Sequence, residues 1–326
     1  MEGVYTLLVG MLFALAVVDL MVGVSNDAVN FLNSAIGSKV ASIRTILIVA
    51  SVGIFLGAVF SSGMMEVARK GIFVPSLFTM QEIMIIFLAV MITDILLLDF
   101  FNTLALPTST TVSIVFELLG AALLLAIVKS SASPDHEILD YINTTKAAQI
   151  IAGIFLSVGI AFTVGALVQY QARLWFTFDF ERYIPRFGWV FGGLAIAAIS
   201  YFVLIKGLKG SQLLSSEQVH WIKSNTLLLS ACLFAASAVI LLILHRFFRI
   251  HPLRMVVLAG TFALAMAFAG NDLVNFIGVP ITGFQTYQVW MAQGLAADTF
   301  TLDFLEEAVR TPTYLLVIAG GIMVLT

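Results

Sequence analysis

Charged residues are scarce in this sequence. Aspartate, glutamate, lysine and arginine make up only 11% of its 326 residues, whereas 60% of the residues are hydrophobic. A water-soluble globule of this length needs more polar surface, so the composition predicts that a lipid bilayer surrounds the chain. The single cysteine, Cys232, excludes an internal disulfide. The small net charge of −3 is spread over many loops, and no nucleic-acid partner is expected.

Long apolar runs recur along the chain. A helix needs about 20 residues to cross the roughly 30 Å hydrocarbon core of a bilayer. The runs are continuously apolar and do not alternate with period two, which predicts an all-α, polytopic membrane protein instead of a β-barrel. The polar stretch at 281–311 is expected to be a loop. The apolar runs lie near residues 3–24, 41–64, 83–101, 108–129, 147–170, 188–207, 224–245 and 254–270, and another begins near 312.

One polar motif occurs twice inside these apolar runs. SNDAVNF at 25–31 and GNDLVNF at 270–276 share Asn-Asp-x-Val-Asn-Phe. A carboxylate at membrane depth is costly unless it meets a partner, so the repeated motif indicates a functional site. Nearby helix-breaking residues predict a break in each helix, which would free carbonyls for a cation and N–H groups for an anion. These residues are Gly23, Gly37, Gly270, Gly278 and Pro280.

A structural role for the asparagines of the motif is the alternative. Polar side chains in membrane bundles often hydrogen-bond one helix to another without binding a ligand. Duplication together with an aspartate favours the functional interpretation for the motif as a whole. The alternative applies more strongly to any single asparagine, that is, to Asn26, Asn30, Asn271 or Asn275.

A cluster of hydroxyl residues opens the apolar run LPTSTTVSIVFELLG at 106–120. Pro107 suits the first turn of a helix, and Ser109, Thr110 and Thr111 suit its cap. Unpaired N–H groups and the positive end of the helix dipole form an anion site there that needs no lysine or arginine. Serine and threonine also cap many helices that bind nothing, so the pattern indicates an oxyanion site mainly in combination with the repeated motif.

These segments together resemble the inorganic phosphate transporter (PiT) family, which pairs a Gly-x-Asn-Asp-x-x-Asn motif with a Pro-x-Ser-Thr-Thr motif in each half. The resemblance rests on VGVSNDAVNFLNSAIGS, MEVARKGIF at 65–73, LPTSTT and AFAGNDLVNFIGVP. It implies an inverted-topology repeat with broken or re-entrant helices. One phosphate is expected between two hydroxyl-rich helix starts, with cations near the Asn-Asp motifs.

The resemblance also implies a role for individual residues. No cofactor is expected, and no metal beyond Na⁺, which with H⁺ is a candidate coupling ion. The candidate phosphate ligands are Ser109, Thr110, Thr111, Asn26 and Asn271, and the candidate cation ligands are Asp27, Asn30, Asp272 and Asn275.

Two further carboxylates within apolar runs are candidate coupling residues. Asp19 lies eight residues before Asp27, about 80° away around a helix, and is expected to face the same cavity. Glu117 stands where the family usually has a small residue. Asp94 also falls in an apolar run, but a position near a helix end in water suits it equally.

The sequence departs from the family pattern at three places. Val112 replaces a frequent histidine, Ile54 replaces a frequent glutamate, and no second Pro-x-Ser-Thr-Thr follows Asp272. We therefore expect residues 1–130 to be a first repeat half, 131–250 to be connecting helices and 251–326 to be the start of a second half. The natural protein is expected to continue with a further hydroxyl-rich helix pair.

The predicted function is secondary active, cation-coupled symport of inorganic phosphate by a multi-pass protein of the cell membrane. A homodimer is one option for its assembly. A permease for sulfate or another oxyanion on the same fold is the alternative, and a phosphate-sensing receptor is a third. An enzyme is not expected: an intramembrane aspartyl protease needs two facing aspartates, and the Gly-x-Gly-Asp pattern of such proteases is absent.

Overall fold

The computed structural model describes residues 2–61, 72–132, 136–177, 179–208, 216–302 and 312–326. Within these ranges the chain is helical, and strand-like pairing is confined to isolated bridges such as Phe73 with Ile142. Most of the segment 65–73 lies outside the described residues. The helices are α1 Glu2–Gly37, α2 Ile43–Val59, α3 Met80–Thr103, α4 Thr110–Ala132, α5 Thr144–Phe176, α6 Phe180–Leu208, α7 Ser216–Ser224, α8 Thr226–Phe248, α9 Pro252–Gln293 and α10 Thr313–Leu325.

Seven of the helices in the described residues are long and apolar enough to cross a membrane, namely α1, α3, α4, α5, α6, α8 and α9. Their outer faces carry large apolar side chains whose exposure to water would be unfavourable. On α5, for example, Phe155 and Phe162 are 74% and 79% exposed. Lipid can cover such side chains at no cost, because hydrocarbon tails are as apolar as they are. The prediction of an all-helical, multi-pass membrane protein is confirmed.

The helices that carry the repeated motif are continuous. α1 runs through SNDAVNF and α9 runs through GNDLVNF, so the breaks expected at these motifs are not seen. Glycine lowers helix stability by only about 1 kcal/mol, and packing against neighbours readily offsets that amount. Pro280 also lies inside α9 without ending it, since neighbouring side chains in a membrane bundle can satisfy the backbone groups that proline frees.

The expected loop at 281–311 was wrong in its first part, because α9 continues to Gln293. The polar residues that suggested a loop are satisfied inside the helix. The Thr282 hydroxyl donates to the Gly278 carbonyl at 2.7 Å, and the Thr286 hydroxyl donates to the Thr282 carbonyl at 2.8 Å. Both threonine side chains are fully buried. Threonine can thus occupy a buried helix face without an external partner.

The described residues form two compact units. The first contains Met1–Val29, Ser61–Ile154 and Ala269–Thr326, and the second contains Asn30–Phe60 and Phe155–Phe268. These units are defined by which residues pack together in space. The predicted division at residues 130 and 250 is instead defined by the sequence repeats. The repeat halves therefore stay a prediction.

Within the first unit, α1 and α9 pack side by side in antiparallel orientation. The rings of Phe13 and Phe284 lie 5.8 Å apart, and a Cβ on Gly23 would lie 2.1 Å from Cζ of Phe276. Residue numbers thus rise along α1 while they fall along α9, and the two Asn-Asp motifs lie at the same level of the pair. An inverted repeat requires this antiparallel relation of its equivalent helices.

The far end of α4 is anchored in the same unit. Lys129 donates to the Leu77 carbonyl at 3.0 Å and to Glu82 Oε2 at 2.8 Å. Glu82 in turn closes a capping box with Thr79 at the start of α3. These contacts hold the end of the α3–α4 pair that lies away from the turn at residues 104–109.

In the second unit, α2 and α9 approach closely at glycine. A Cβ on Gly57 would lie 2.2 Å from the Met266 carbonyl oxygen, and a Cβ on Gly53 would lie 2.5 Å from the Phe262 carbonyl oxygen. Backbone atoms cannot rotate away as a side-chain end can. Small residues at helix contacts allow such close packing, which drives association within a bilayer.

Replacing Gly57 by alanine is therefore expected to destabilise the protein by about 1–3 kcal/mol, the usual effect of overpacking. Thermal unfolding of the purified protein in detergent measures the effect. Gly120→Ala is the matched control, because Gly120 on α4 has no atom within 4 Å of its would-be Cβ. The control should unfold at the same or a higher temperature, since alanine favours helix. Equal behaviour of the two variants would contradict the close contact.

Candidate functional site

The hydroxyl motif forms the start of α4, as the sequence predicted. Ser109 Oγ accepts a hydrogen bond from the Val112 N–H at 3.4 Å, which is the N-cap arrangement, and the Ser109 carbonyl accepts from Ser113 N–H at 3.0 Å. Pro107 precedes the helix and does not lie in its first turn. The N–H groups of Thr110 and Thr111 belong to the first turn, where no intrahelical acceptor exists. They are available to a ligand at the positive end of the helix dipole.

The second Asn-Asp motif contacts this helix start directly. The Thr110 hydroxyl donates to Asp272 Oδ1 at 2.9 Å. Asn275 Nδ2 donates to the hydroxyl oxygens of Thr110 and Thr111 at 3.2 and 3.1 Å, and Asn271 Nδ2 donates to that of Thr111 at 3.0 Å. Thr110, Asp272 and Asn275 are 2%, 5% and 6% exposed. Tertiary structure thus joins two motifs that lie about 160 residues apart in the chain.

The hydroxyl groups of Thr110 and Thr111 have different hydrogen-bond roles. A hydroxyl group has one proton to donate and two lone pairs to accept with. Thr110 gives its proton to Asp272. Thr111 accepts from two amide groups, and its own proton has no acceptor among the described residues. The Thr111 hydroxyl proton can therefore be donated to a group from outside this network.

Asn26 of the first motif holds the turn that precedes α4. Its Nδ2 group donates to Asn102 Oδ1 at 2.8 Å and to the Leu106 carbonyl at 3.1 Å. Its Oδ1 atom accepts from the Thr108 N–H at 2.8 Å. Both amide protons are thus used within the protein. This arrangement matches the interhelical role that was the alternative for this asparagine.

Asn102 completes this arrangement, and sequence reasoning missed it. Its Nδ2 group donates to the Val22 carbonyl at 2.9 Å while its Oδ1 atom accepts from Asn26. The available signal was a carboxamide in the last turn of the apolar helix α3, shortly before Pro107. Asn26 and Asn102 together hold the chain just before the hydroxyl motif against α1.

The remaining predicted residues lie in different surroundings. Asp27 is buried on α1, at 4% exposure, whereas Asn30 is exposed and belongs to the second unit. Asp19 and Glu117 are not in the hydrogen-bonded group formed by α4 and α9. Glu117 instead accepts a hydrogen bond from the Ser113 hydroxyl at 2.7 Å, one turn further along α4 from the hydroxyl motif.

Comparison with known proteins places this arrangement in a family. The sequence model that describes the phosphate transporter family matches residues 23–325 of this chain. The chain belongs to the phosphate transporter family. A curated protein of Pyrococcus furiosus, named "Putative phosphate permease", is 26% identical over 281 residues, which are 83% of this chain and 64% of that protein. The chain thus spans less than two thirds of the length of this relative.

A solved structure shares the fold of this family member. The protein described as "The sodium-dependent phosphate transporter" superposes with a TM-score of 0.67 and 18% sequence identity, over 97% of this chain and 74% of its own. At that identity the likeness concerns the fold. It extends over helices from both compact units.

The clamp formed by Asn26 and Asn102 in this phosphate transporter family member is testable by a double-mutant cycle. Asn26→Ala and Asn102→Ala should each destabilise the protein by about 1–3 kcal/mol, because each leaves partly buried polar groups unpaired. The double variant should lose less than the sum, since both changes remove the same contact. Thermal unfolding in detergent provides the measurement. Thr103→Ala, at an exposed neighbour of Asn102, should be neutral; additive effects in the cycle would refute the clamp.

Proposed function

We propose that the chain carries out cation-coupled secondary symport of inorganic phosphate across the membrane. Membership of the phosphate transporter family supports the substrate. The sodium dependence in the name of the similar solved protein supports Na⁺ as the coupling ion. The observation that carries the proposal is the hydrogen-bond arrangement at Thr111, whose hydroxyl oxygen accepts from Asn271 and Asn275 at a helix N-terminus and whose own proton therefore stays available to a ligand.

Phosphate would bind at the start of α4. The N–H groups of Thr110 and Thr111 and the hydroxyl groups of Ser109 and Thr111 supply donors, and the helix dipole favours the negative charge. Thr110 takes part through its N–H, because its hydroxyl proton is held by Asp272. Neutral donors of this kind bind an anion without a permanent ion pair, so the anion can also be released.

Two asparagines predicted as phosphate ligands fit a supporting role better. Asn271 Nδ2 donates to Thr111 at 3.0 Å and to Asp272 Oδ1 at 3.3 Å, so both of its amide protons are engaged. Asn26 is engaged in the same way with Asn102 and Leu106. Asn271 would orient the Thr111 hydroxyl, and Asn26 would hold the turn before Ser109.

The need for a cation follows from charge. The carboxylate of Asp272 lies one hydrogen bond from Thr110 and would face a bound phosphate across a short distance. Two negative groups in a medium of low dielectric repel each other strongly unless a cation lies between them. We therefore assign Asp272 and Asn275 as candidate cation ligands, and Asp27 and Asn30 stay candidate cation ligands by the sequence repeat alone. The cation would enter with phosphate and offset its charge.

Phosphate uptake into proteoliposomes tests the symport, with the sodium gradient and the proton gradient varied independently. Asp27→Asn and Asp272→Asn should abolish gradient-driven uptake, because each removes a charge that the cation requires. Asp99→Asn is the matched control, since Asp99 is an exposed carboxylate on α3. Unchanged flux in both motif variants would contradict the proposal.

Competition by sulfate tests the alternative substrate. Inhibition of phosphate uptake by sulfate that equals the inhibition by unlabelled phosphate would indicate a general oxyanion permease.

The donor role of Thr111 makes a narrower prediction. Thr111→Val removes the hydroxyl and should raise the phosphate concentration needed for half-maximal uptake roughly ten-fold or more, the usual effect of losing a hydrogen bond to a charged group. Thr111→Ser keeps the hydroxyl and should stay near the wild-type value. If valine and serine gave the same concentration dependence, the hydroxyl would not contact the anion.

A further inference from the structure

Three carboxylates meet inside the first unit, away from the hydroxyl motif. They come from three different helices: Asp19 from α1, Asp94 from α3 and Glu117 from α4. Asp19 and Asp94 are completely buried, and Asp19 interacts electrostatically with both of the others. Asp94 and Glu117 are joined through the Ser113 hydroxyl, which contacts one carboxyl oxygen of each. We call these residues the carboxylate cluster.

The cluster has no compensating positive charge in the part of the chain that the structure describes. No lysine, arginine or histidine there forms an ion pair with any of the three residues. The groups that act on the cluster from the surrounding helices are its own three carboxyls and the Ser113 hydroxyl. Three ionised carboxylates in this position would be prohibitively costly. Some other positive species must neutralise them.

Asp19 shows that the cluster is incomplete as it stands. Neither of its carboxyl oxygens has a hydrogen-bond partner among the described residues, although the side chain is 0% exposed. Asp94 Oδ2 and Glu117 Oε2 are likewise buried without a partner. Buried polar atoms are nearly always hydrogen-bonded, so a fully buried carboxyl group without a partner indicates a bound species.

The hydroxyl of Ser113 identifies that species. Ser113 Oγ lies within hydrogen-bonding distance of Asp94 Oδ1 and of Glu117 Oε1. A serine hydroxyl has only one proton, so it can donate to one of these oxygens and must accept from the other. An ionised carboxylate cannot donate. One of the two carboxyl groups must therefore carry a proton for both contacts to be favourable.

We propose that the carboxylate cluster is a proton-binding site that exchanges one proton with water during transport. On uptake, a proton from water forms an O–H bond with a carboxylate oxygen of Asp94 or Glu117. On release, that bond breaks and the proton returns to water, while Asp19 supplies the negative charge that draws the proton in. Among the described residues, no group of three or more His, Cys, Asp or Glu side chains has the arrangement of a metal site.

The cluster is linked to the candidate phosphate site through α4. The Ser113 N–H donates to the Ser109 carbonyl at 3.0 Å, so the residue that contacts both carboxyls is bonded to the N-cap of the same helix. Loss of the proton would leave two like charges facing Ser113 and would push α3 and α4 apart. This coupling of protonation to phosphate movement rests on the proposed function, whereas proton binding itself does not.

Infrared difference spectroscopy of the purified full chain, between about pH 5 and about pH 9, tests proton binding independently of transport. This range covers the titration of buried carboxyl groups in proteins. The wild-type protein should show a carboxylic-acid carbonyl band at low pH that disappears at high pH. Glu117→Gln or Asp94→Asn should abolish that band, and two variants on different helices guard against a failure of either to fold. Asp99→Asn should retain it.

Two results would overturn the proton site. One is a wild-type spectrum without a carboxylic-acid band throughout this pH range. The other is a spectrum whose carboxylate bands shift on addition of Na⁺ and do not respond to pH, which would assign the cluster to a metal cation. A band that survives in both Glu117→Gln and Asp94→Asn would likewise exclude these residues as the proton carriers.

Phosphate uptake at varied pH tests the coupling. Uptake by the wild type and by Asp99→Asn should change with pH across this range, whereas uptake by Glu117→Gln should lose its pH dependence. An unaltered pH profile in Glu117→Gln, with the infrared band gone, would refute coupling and leave proton binding in place. An absence of uptake by the wild type would contradict the proposed function, while the spectra would still decide on the proton.

Discussion

The structure depends on one constraint: in a bilayer, polar groups away from water must be satisfied by the protein itself. The start of α4 and the middle of α9 satisfy each other. Asp272 and Asn275 bond the hydroxyl groups that open α4, and Asn26 and Asn102 hold the turn before it. Because hydrocarbon offers no competing partner, this network defines both the local geometry and the donors left for a ligand.

Close packing at glycine occurs in each compact unit. α1 and α9 meet at Gly23 and Phe276, and α2 and α9 meet at Gly57 and Met266. Small residues at such contacts allow helices to pack closely within a bilayer. Gly23 therefore serves helix packing, and α1 and α9 remain continuous where a break was expected.

The two groups of polar residues have different chemistry. The α4–α9 network consists mainly of neutral hydroxyl and carboxamide groups with one carboxylate, which suits an oxyanion beside a cation. The carboxylate cluster of Asp19, Asp94 and Glu117 has three acids and one hydroxyl, which suits a proton. Both groups share α4, since Ser113 lies one turn beyond Ser109. A helix that joins the two proposed sites would provide a direct path for coupling.

Composition determined the fold class and the approximate helix positions, and the resemblance of the motifs indicated the family. The same motifs predicted a candidate site at Ser109, Thr110, Thr111, Asp272 and Asn275. These follow from local chemistry: apolar runs of sufficient length must cross a membrane, and a duplicated acidic motif within them is rarely structural. Sequence could not show that Asn26 engages Asn102, that Thr110 and Thr111 have different hydrogen-bond roles, or that Asp94 joins Asp19 and Glu117. Those facts depend on distances between residues far apart in the chain. Only tertiary structure decides them, because a hydroxyl proton is oriented by whichever groups packing places around it.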